Sequence, residues 1–277
     1  MQILDEFKRI FEDRYAVAQG EKDKGKKIIG WVCTYIPEEL FYAADMHTVR
    51  VLGGSENTTK ADAYLYSNFC PFTRSALEEA LNGRYDMLDG FLAVNSCDHV
   101  RRLYDVWKSY LTTPFAHILS LPHKLSDNAL NYYHKELLNL KTEIEKFFGV
   151  EITDDGIRNA VEVYNKTRSM LKDLYMLRQS DSPPISGAEI MDVVVAGSVL
   201  PRDQYNGMLE TLLSEIEDRD DPPPDDGVRV MLSGSLLDNS EFIKRIENLG
   251  GLVVADDLCV GTRYFWDLVE EEEDPVM

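Results

Sequence analysis

Over the first 120 or so positions, short apolar runs alternate with stretches of helical period. "KKIIGWV" is β-rich, and Pro37 then opens "PEELFYAADM" as a helix with acids in its first turn, where they suit the helix dipole. "TVRVLG" reads as a second strand and "CPFTRSALEEALNGR" as a helix with Pro71 near its first position. "LDGFLAVN" is a third strand, "CDHVRRLYDVWKSYL" a third helix and "FAHILSLP" a fourth strand. Strands separated by helices of about 10–15 residues predict parallel βαβ units in an open, doubly wound sheet.

From Leu130 the texture changes. Leu130, Tyr133, Leu137, Leu140, Ile144 and Phe147 recur three and four apart, which is one helical face, and Gly149 ends it. A second helix, capped by Thr153 or Asp154, carries Ile157, Val161, Tyr164, Leu171 and Leu174 on its inner side. The pair reads as an antiparallel helical hairpin that packs, with a partner-binding coiled coil as the competing reading. "SDSPPISG" is a turn, and two more helices run through Met191 and through Leu209 to Ile216. A second α/β unit then begins with "VRVMLSG", "NSEFIKRIENLG" and "LVVADD". The predicted organisation is an N-terminal α/β lobe (1–123), a helical middle region (124–220) and the start of a second α/β lobe (221–277). Two strands do not make a stable doubly wound sheet, so the second lobe is expected to be incomplete.

Length and charge narrow the function classes. At 277 residues the chain holds one large or two moderate domains. Its 49 acidic against 29 basic residues give a formal net charge of −20, a field that repels nucleic acid, and no basic stripe with interleaved aromatics offsets it. Part of that charge is local, in "EIEDRDDPPPDDG" and "EEEEDP". An anionic substrate therefore needs a locally basic pocket, or one completed by a partner subunit. The longest apolar runs, such as "MDVVVAGSVL", are too short and interrupted to span a bilayer. The charged N-terminus lacks the apolar block of a secretory signal. With only four cysteines there is no disulfide scaffold, and a cytoplasmic, reduced protein is expected.

Those four cysteines all fall just past a predicted strand: Cys33, Cys70, Cys97 and Cys259. The carboxyl ends of strands in open α/β sheets form the crevice where ligands bind. Cys70 and Cys97 also stand at predicted helix N-termini, which favour a thiolate, the form a metal or cluster takes. Against this, free cysteines are commonly buried packing residues, and the chain has no CxxC pair. The five histidines (His47, His99, His117, His123, His134) form no metal pair at helical spacing, and His99 alone lies near the predicted rim. No GxSxG, Walker A or GxGxxG stretch occurs. On residues alone, a cluster site and a plain ligand-binding module with incidental thiols both stay open.

Four ordered stretches resemble the 2-hydroxyacyl-CoA dehydratase and benzoyl-CoA reductase family. "GWVCTYIPEELFYAADMHTVRVLG" is similar to its N-terminal signature, and "FCPFTRSALEEALNGRYDMLDGFLAVNSCDHVRRLYDVW" to its first two cysteine segments. "VYNKTRSMLKDLYMLR" is similar to its helical middle, and "VRVMLSGSLLDN" with "GGLVVADDLCVGTRYFW" to its third cysteine segment. The resemblance implies two flavodoxin-like lobes with helices between them. It implies a [4Fe-4S] cluster held by Cys70, Cys97 and Cys259, with one iron left open and Cys33 as the runner-up ligand. It also implies an acyl-CoA substrate, a related sister subunit and an ATP-hydrolysing iron–sulfur activator that delivers low-potential electrons singly. Dehydration and aryl ring reduction both fit.

Arg74, Arg101 and Arg102, one turn after Cys70 and Cys97, are candidates to offset cluster charge or face CoA phosphates, with surface ion pairs as the alternative. Glu38, Glu39 and Arg263 stand at family signature positions without an assigned role. Family members continue past the third cysteine segment, so this chain is expected to lack the end of its second lobe. A non-catalytic cluster carrier or structural partner of an active sister subunit is the alternative. The related double-cubane proteins need more cysteines than three ligands supply.

Overall fold

A computed structural model describes residues 1–54, 57–270 and 272–276. The chain begins with two helices, α1 (Gln2–Glu12) and α2 (Arg14–Asp23). The apolar residues of α1 recur at helical spacing, and Leu4 and Phe7 among them are buried on one of its faces. Contacts divide the chain into two units, one of Met1–Val17 with Glu162–Glu270, the other of Ala18–Val161 with residues of the C-terminal tail.

The second of these units holds β1 (Ile28–Trp31), α3 (Glu38–Ala43), β2 (His47–Arg50), α4 (Pro71–Leu81), β3 (Gly90–Val94), α5 (Asp98–Tyr110), β4 (Phe115–Leu119) and α6 (Asp127–Phe148). The four strands pair in parallel in the order β2-β1-β3-β4, with Ile28 opposite His47 and Gly90 opposite Phe115. Every residue of β1, β2 and β3 is buried, as a parallel sheet covered on both faces requires. Phe91 of β3 stacks on Trp107 of α5, centroids 4.0 Å apart and planes 10° off parallel. The chain leaves β1 for one edge and returns past it to β3, so the topological switch point lies between β1 and β3.

The long helix α6 ends where expected, at Gly149 in the left-handed conformation (φ 69°). Its apolar stripe is only partly covered. Leu137, Leu140 and Ile144 are buried, whereas Leu130 and Phe147 are 56% and 50% exposed. The end of α6 lies against β4, with Phe115 5.2 Å from Phe147 and 5.4 Å from Phe148 between ring centroids.

After α7 (Asp154–Leu177), the other unit continues with α8 (Gly187–Ala196), α9 (Arg202–Glu215), β5 (Val228–Ser233), α10 (Ser240–Asn248), β6 (Gly251–Asp257) and α11 (Thr262–Phe265). Its core gathers Phe7, Leu174, Val193, Leu209, Val253 and Phe265, so α1 packs on α8 and α9. Ser186 and Glu189 form a reciprocal capping box that starts α8. Gly187 is required there, because a Cβ would stand 2.6 Å from the Val253 Cβ. β5 and β6 pair in parallel, with a register shift that sets Val230 opposite Val253 and Met231 opposite Ala255. Among the described residues no helix is long and apolar enough to cross a membrane.

Candidate functional site

Two of the four cysteines stand at helix N-cap positions. Cys70 is the N-cap of α4, followed by Pro71 in the first turn, and Cys97 is the N-cap of α5. The Cys97 sulfur accepts the Val100 N–H at 3.5 Å, so it already sits where the helix dipole favours negative charge. Cys97 is exposed and Cys70 half-buried.

His99 joins the two helix starts. The backbone N–H of Cys70 donates to Nδ1 of His99 at 3.1 Å. The imidazole also lies on the Phe69 ring, with centroids 4.9 Å apart. Because Nδ1 accepts, the ring proton belongs on Nε2. The sequence places His99 near the rim; the structure makes it the link between the first two cysteine segments.

Cys33 follows β1 with a positive φ of 77°, a left-handed conformation unusual for a side chain with a Cβ. Near that end of the strand is a buried polar group. Glu38 and Glu39 are only 3% and 8% exposed. Glu38 accepts a hydrogen bond from the Thr48 hydroxyl at 2.7 Å. The Arg50 guanidinium lies over the Trp31 ring, 4.8 Å from its centroid. From α6, the Tyr133 hydroxyl donates to the Tyr35 carbonyl at 3.4 Å, and burial together with the Glu39 charge pushes its pKa up to about 12. Sequence reasoning singled out the two glutamates but missed Thr48, Arg50 and Tyr133. The signal for Arg50 was a charged residue inside the β-rich run "TVRVLG".

Cys259 belongs to the other unit, in the loop between β6 and α11, where its N–H donates to the Ser235 carbonyl at 2.9 Å. Arg263 grips Asp257 with two hydrogen bonds of 2.5 and 2.6 Å, and its third nitrogen donates to the Gly234 carbonyl at 2.9 Å and stands 3.9 Å from the Cys259 sulfur. The Arg263 hydrogen bond holds the Asp257 carboxyl below the usual carboxylate range. Asp256 accepts the Thr262 N–H at 3.0 Å while the Thr262 hydroxyl returns a bond to the Asp256 carbonyl at 2.8 Å. A cavity of about 480 Å³ opens beside this loop, lined in part by Tyr175, Arg229, Asp256, Arg263 and Trp266.

The candidate arginines are all engaged. Arg74 donates to Asp62 at 2.6 Å, to Thr58 at 2.6 Å and to the Ser67 carbonyl at 3.2 Å, which pins the segment leading into Cys70. Arg101 pairs with Asp98 at 3.1 Å and Arg102 with Asp105 at 2.7 Å, both half-exposed i,i+3 pairs on α5 that are easily broken in water.

Among the described residues, no three His, Cys, Asp or Glu side chains are gathered around one point suited to a metal ion. The donor chemistry of the individual thiols nonetheless fits an iron–sulfur group. Cys70 and Cys97 cap adjacent helices, the Cys97 sulfur takes an N–H, and the Cys259 sulfur faces a guanidinium.

Known proteins are similar to this chain along most of its length. The profile of the family described as "2-hydroxyglutaryl-CoA dehydratase, D-component" matches residues 33–277. One of the benzoyl-CoA reductase subunits of Thauera aromatica is 31% identical over 261 residues, which cover 92% of this chain and 67% of that protein. The (R)-phenyllactyl-CoA dehydratase beta subunit of Clostridium sporogenes is 28% identical over 278 residues, covering 99% of this chain and 74% of that protein. The beta subunit of (R)-2-hydroxyglutaryl-CoA dehydratase of Acidaminococcus fermentans is 27% identical over 266 residues, covering 95% and 70%.

Proposed function

The chain belongs to the 2-hydroxyglutaryl-CoA dehydratase D-component family, and from that premise we propose that it is the [4Fe-4S]-bearing subunit of a radical acyl-CoA enzyme. The reaction is dehydration of a 2-hydroxyacyl-CoA or ring reduction of a benzoyl-CoA-type substrate. The observation that carries the reading is the Cys70–His99 hydrogen bond, which draws the first two cysteine segments of the family pattern onto neighbouring helix starts. The strand order β2-β1-β3-β4 supports a flavodoxin-like lobe, whose shared order begins the same way.

Cys70, Cys97 and Cys259 hold the cluster in this reading, with Cys33 the runner-up. The assignment of Cys259 rests on the order and content of its segment, "ADDLCVGTRYF". When bound, the cluster supplies single low-potential electrons to the substrate thioester. The chain's own groups prepare for that charge. Cys70 and Cys97 stand at the N-termini of α4 and α5, where the Val100 N–H already reaches the Cys97 sulfur, and Arg263 presents a positive charge to the Cys259 sulfur. Arg101 and Arg102, in exposed pairs, are available to CoA phosphates. The relatives are named as subunits, which supports a sister chain as partner. An ATP-hydrolysing iron–sulfur activator and a cytoplasmic location complete the proposal.

The test is anaerobic purification and reconstitution followed by iron and sulfide analysis. About four irons and four sulfides per chain are expected. Less than about one iron per chain would overturn the reading, because a [4Fe-4S] site cannot be filled at that level.

A further inference from the structure

We infer that His99 is a positioning residue: by accepting the Cys70 N–H at Nδ1, it clamps the backbone of Cys70 to the first turn of α5 and so sets how the Cys70 and Cys97 sulfurs are presented together. The inference deepens the proposed function, resting on Cys70 and Cys97 as ligands.

Three observations converge on it. First, Cys70 is the N-cap of α4, so its own N–H lies outside the helical hydrogen-bond ladder and needs a partner. His99 Nδ1 is that partner at 3.1 Å. Second, His99 sits in the first turn of α5, two residues after Cys97, whose sulfur is fixed by the Val100 N–H at 3.5 Å. A bond from Cys70 to His99 is therefore a bond between the two cysteine-bearing caps. Third, the ring is held in place by Phe69, the residue before Cys70, with centroids 4.9 Å apart and planes 37° apart. The same imidazole is thus gripped through its nitrogen and through its face by consecutive residues of one segment. A ring that served only to fill space would need neither a fixed tautomer nor a bond to the main chain of the ligand residue. Groups that orient metal ligands in this way generally change metal affinity by about 10–100-fold when removed.

The chemistry of the side chain supplies a sharp test. Asparagine places its amide oxygen near the position of Nδ1, whereas glutamine places its own near Nε2. His99→Asn should keep the Cys70 N–H satisfied, and His99→Gln should not. Full-length wild type, His99→Asn, His99→Gln and His99→Ala are reconstituted without air. Retention of iron against a chelator and the electron paramagnetic resonance spectrum of the reduced protein are then recorded. The expected result is iron retention lowered by about 10-fold in the Gln and Ala variants with an altered spectrum, and both restored by Asn. Equal retention and an unchanged spectrum in the Gln variant would overturn the inference.

A cluster-free measurement separates the two claims. In the iron-free wild-type chain labelled with nitrogen-15 histidine, the nuclear magnetic resonance shifts of His99 should report an accepting Nδ1 and a protonated Nε2. An Nδ1-protonated or rapidly exchanging ring overturns the clamp even if iron binds. A clamped ring in a chain that binds no iron supports the clamp and overturns the cluster reading alone. This holds also if every His99 variant fails to fold.

Discussion

Arg178 and Asp256 form an ion pair at 3.3 Å although their side chains are only 2% and 5% exposed. The arginine lies just beyond α7 and the aspartate in β6, 78 residues later, at the root of the loop that carries Cys259. The guanidinium also stacks over Tyr175 at 4.0 Å from its centroid. Asp256 spends its other oxygen on the Thr262 N–H, so one buried carboxylate ties a distant cation to the cysteine loop.

Removing the cation should therefore release the loop. Arg178→Ala leaves Asp256 charged and buried, which typically costs about 3–5 kcal/mol. Hydrogen exchange over residues 251–262 is the measurement. Protection there should fall by several orders of magnitude, while exchange in β1 and β3 stays as in wild type.

Gly261 is the second control point of that loop. A Cβ at this position would stand 1.9 Å from the Asp256 Oδ1, inside any permissible contact. Gly261→Ala is expected to displace the carboxylate from Thr262 and destabilise the unit by about 1–3 kcal/mol. Reconstituted protein should lose iron to a chelator faster than wild type. Unchanged thermal stability and iron retention would show that the loop does not depend on this contact.

Asp89 predicts a pH dependence in the unit that holds the four-stranded sheet. Burial acts to raise its pKa but is outweighed by the Lys22 hydrogen bond at 2.7 Å, the Ile28 N–H at 3.0 Å and Lys27 at 3.3 Å, so the carboxyl lies below its ordinary value. A depressed folded-state pKa adds stability above the unfolded pKa and loses it as pH falls through the folded one. The contribution is thus complete at neutral pH and fades below about pH 4. Asp89→Asn should lower the melting temperature at pH 7 and flatten the acid limb, so the two proteins converge at the lowest pH at which both fold.

The thiols should separate by role. Cys70→Ser and Cys97→Ser are each expected to reduce bound iron at least about 10-fold, as removal of a direct ligand does, whereas Cys33→Ser should retain it. Serine tolerates the left-handed backbone at residue 33 no worse than cysteine, so that variant tests the sulfur and not the fold. Iron analysis after anaerobic reconstitution decides between Cys33 and the other thiols.

Much of this protein was legible from its sequence. Pro37 and Pro71 marked helix starts, Gly149 marked a helix end, and the apolar runs marked β1, β3 and β4, because capping, backbone permissiveness and periodicity act over a few residues. The same short-range logic placed Cys70 and Cys97 at helix N-termini, where they are found. It failed for Leu130 and Phe147, whose periodicity promised burial they do not have.

What only the tertiary structure decided are the pairings across long stretches of chain. His99 meets Cys70 from 29 residues away, and Arg178 meets Asp256 from 78 residues away. No local propensity encodes these contacts. A buried polar atom must find a partner once it leaves water, and which partner stands within reach is set by how the elements pack.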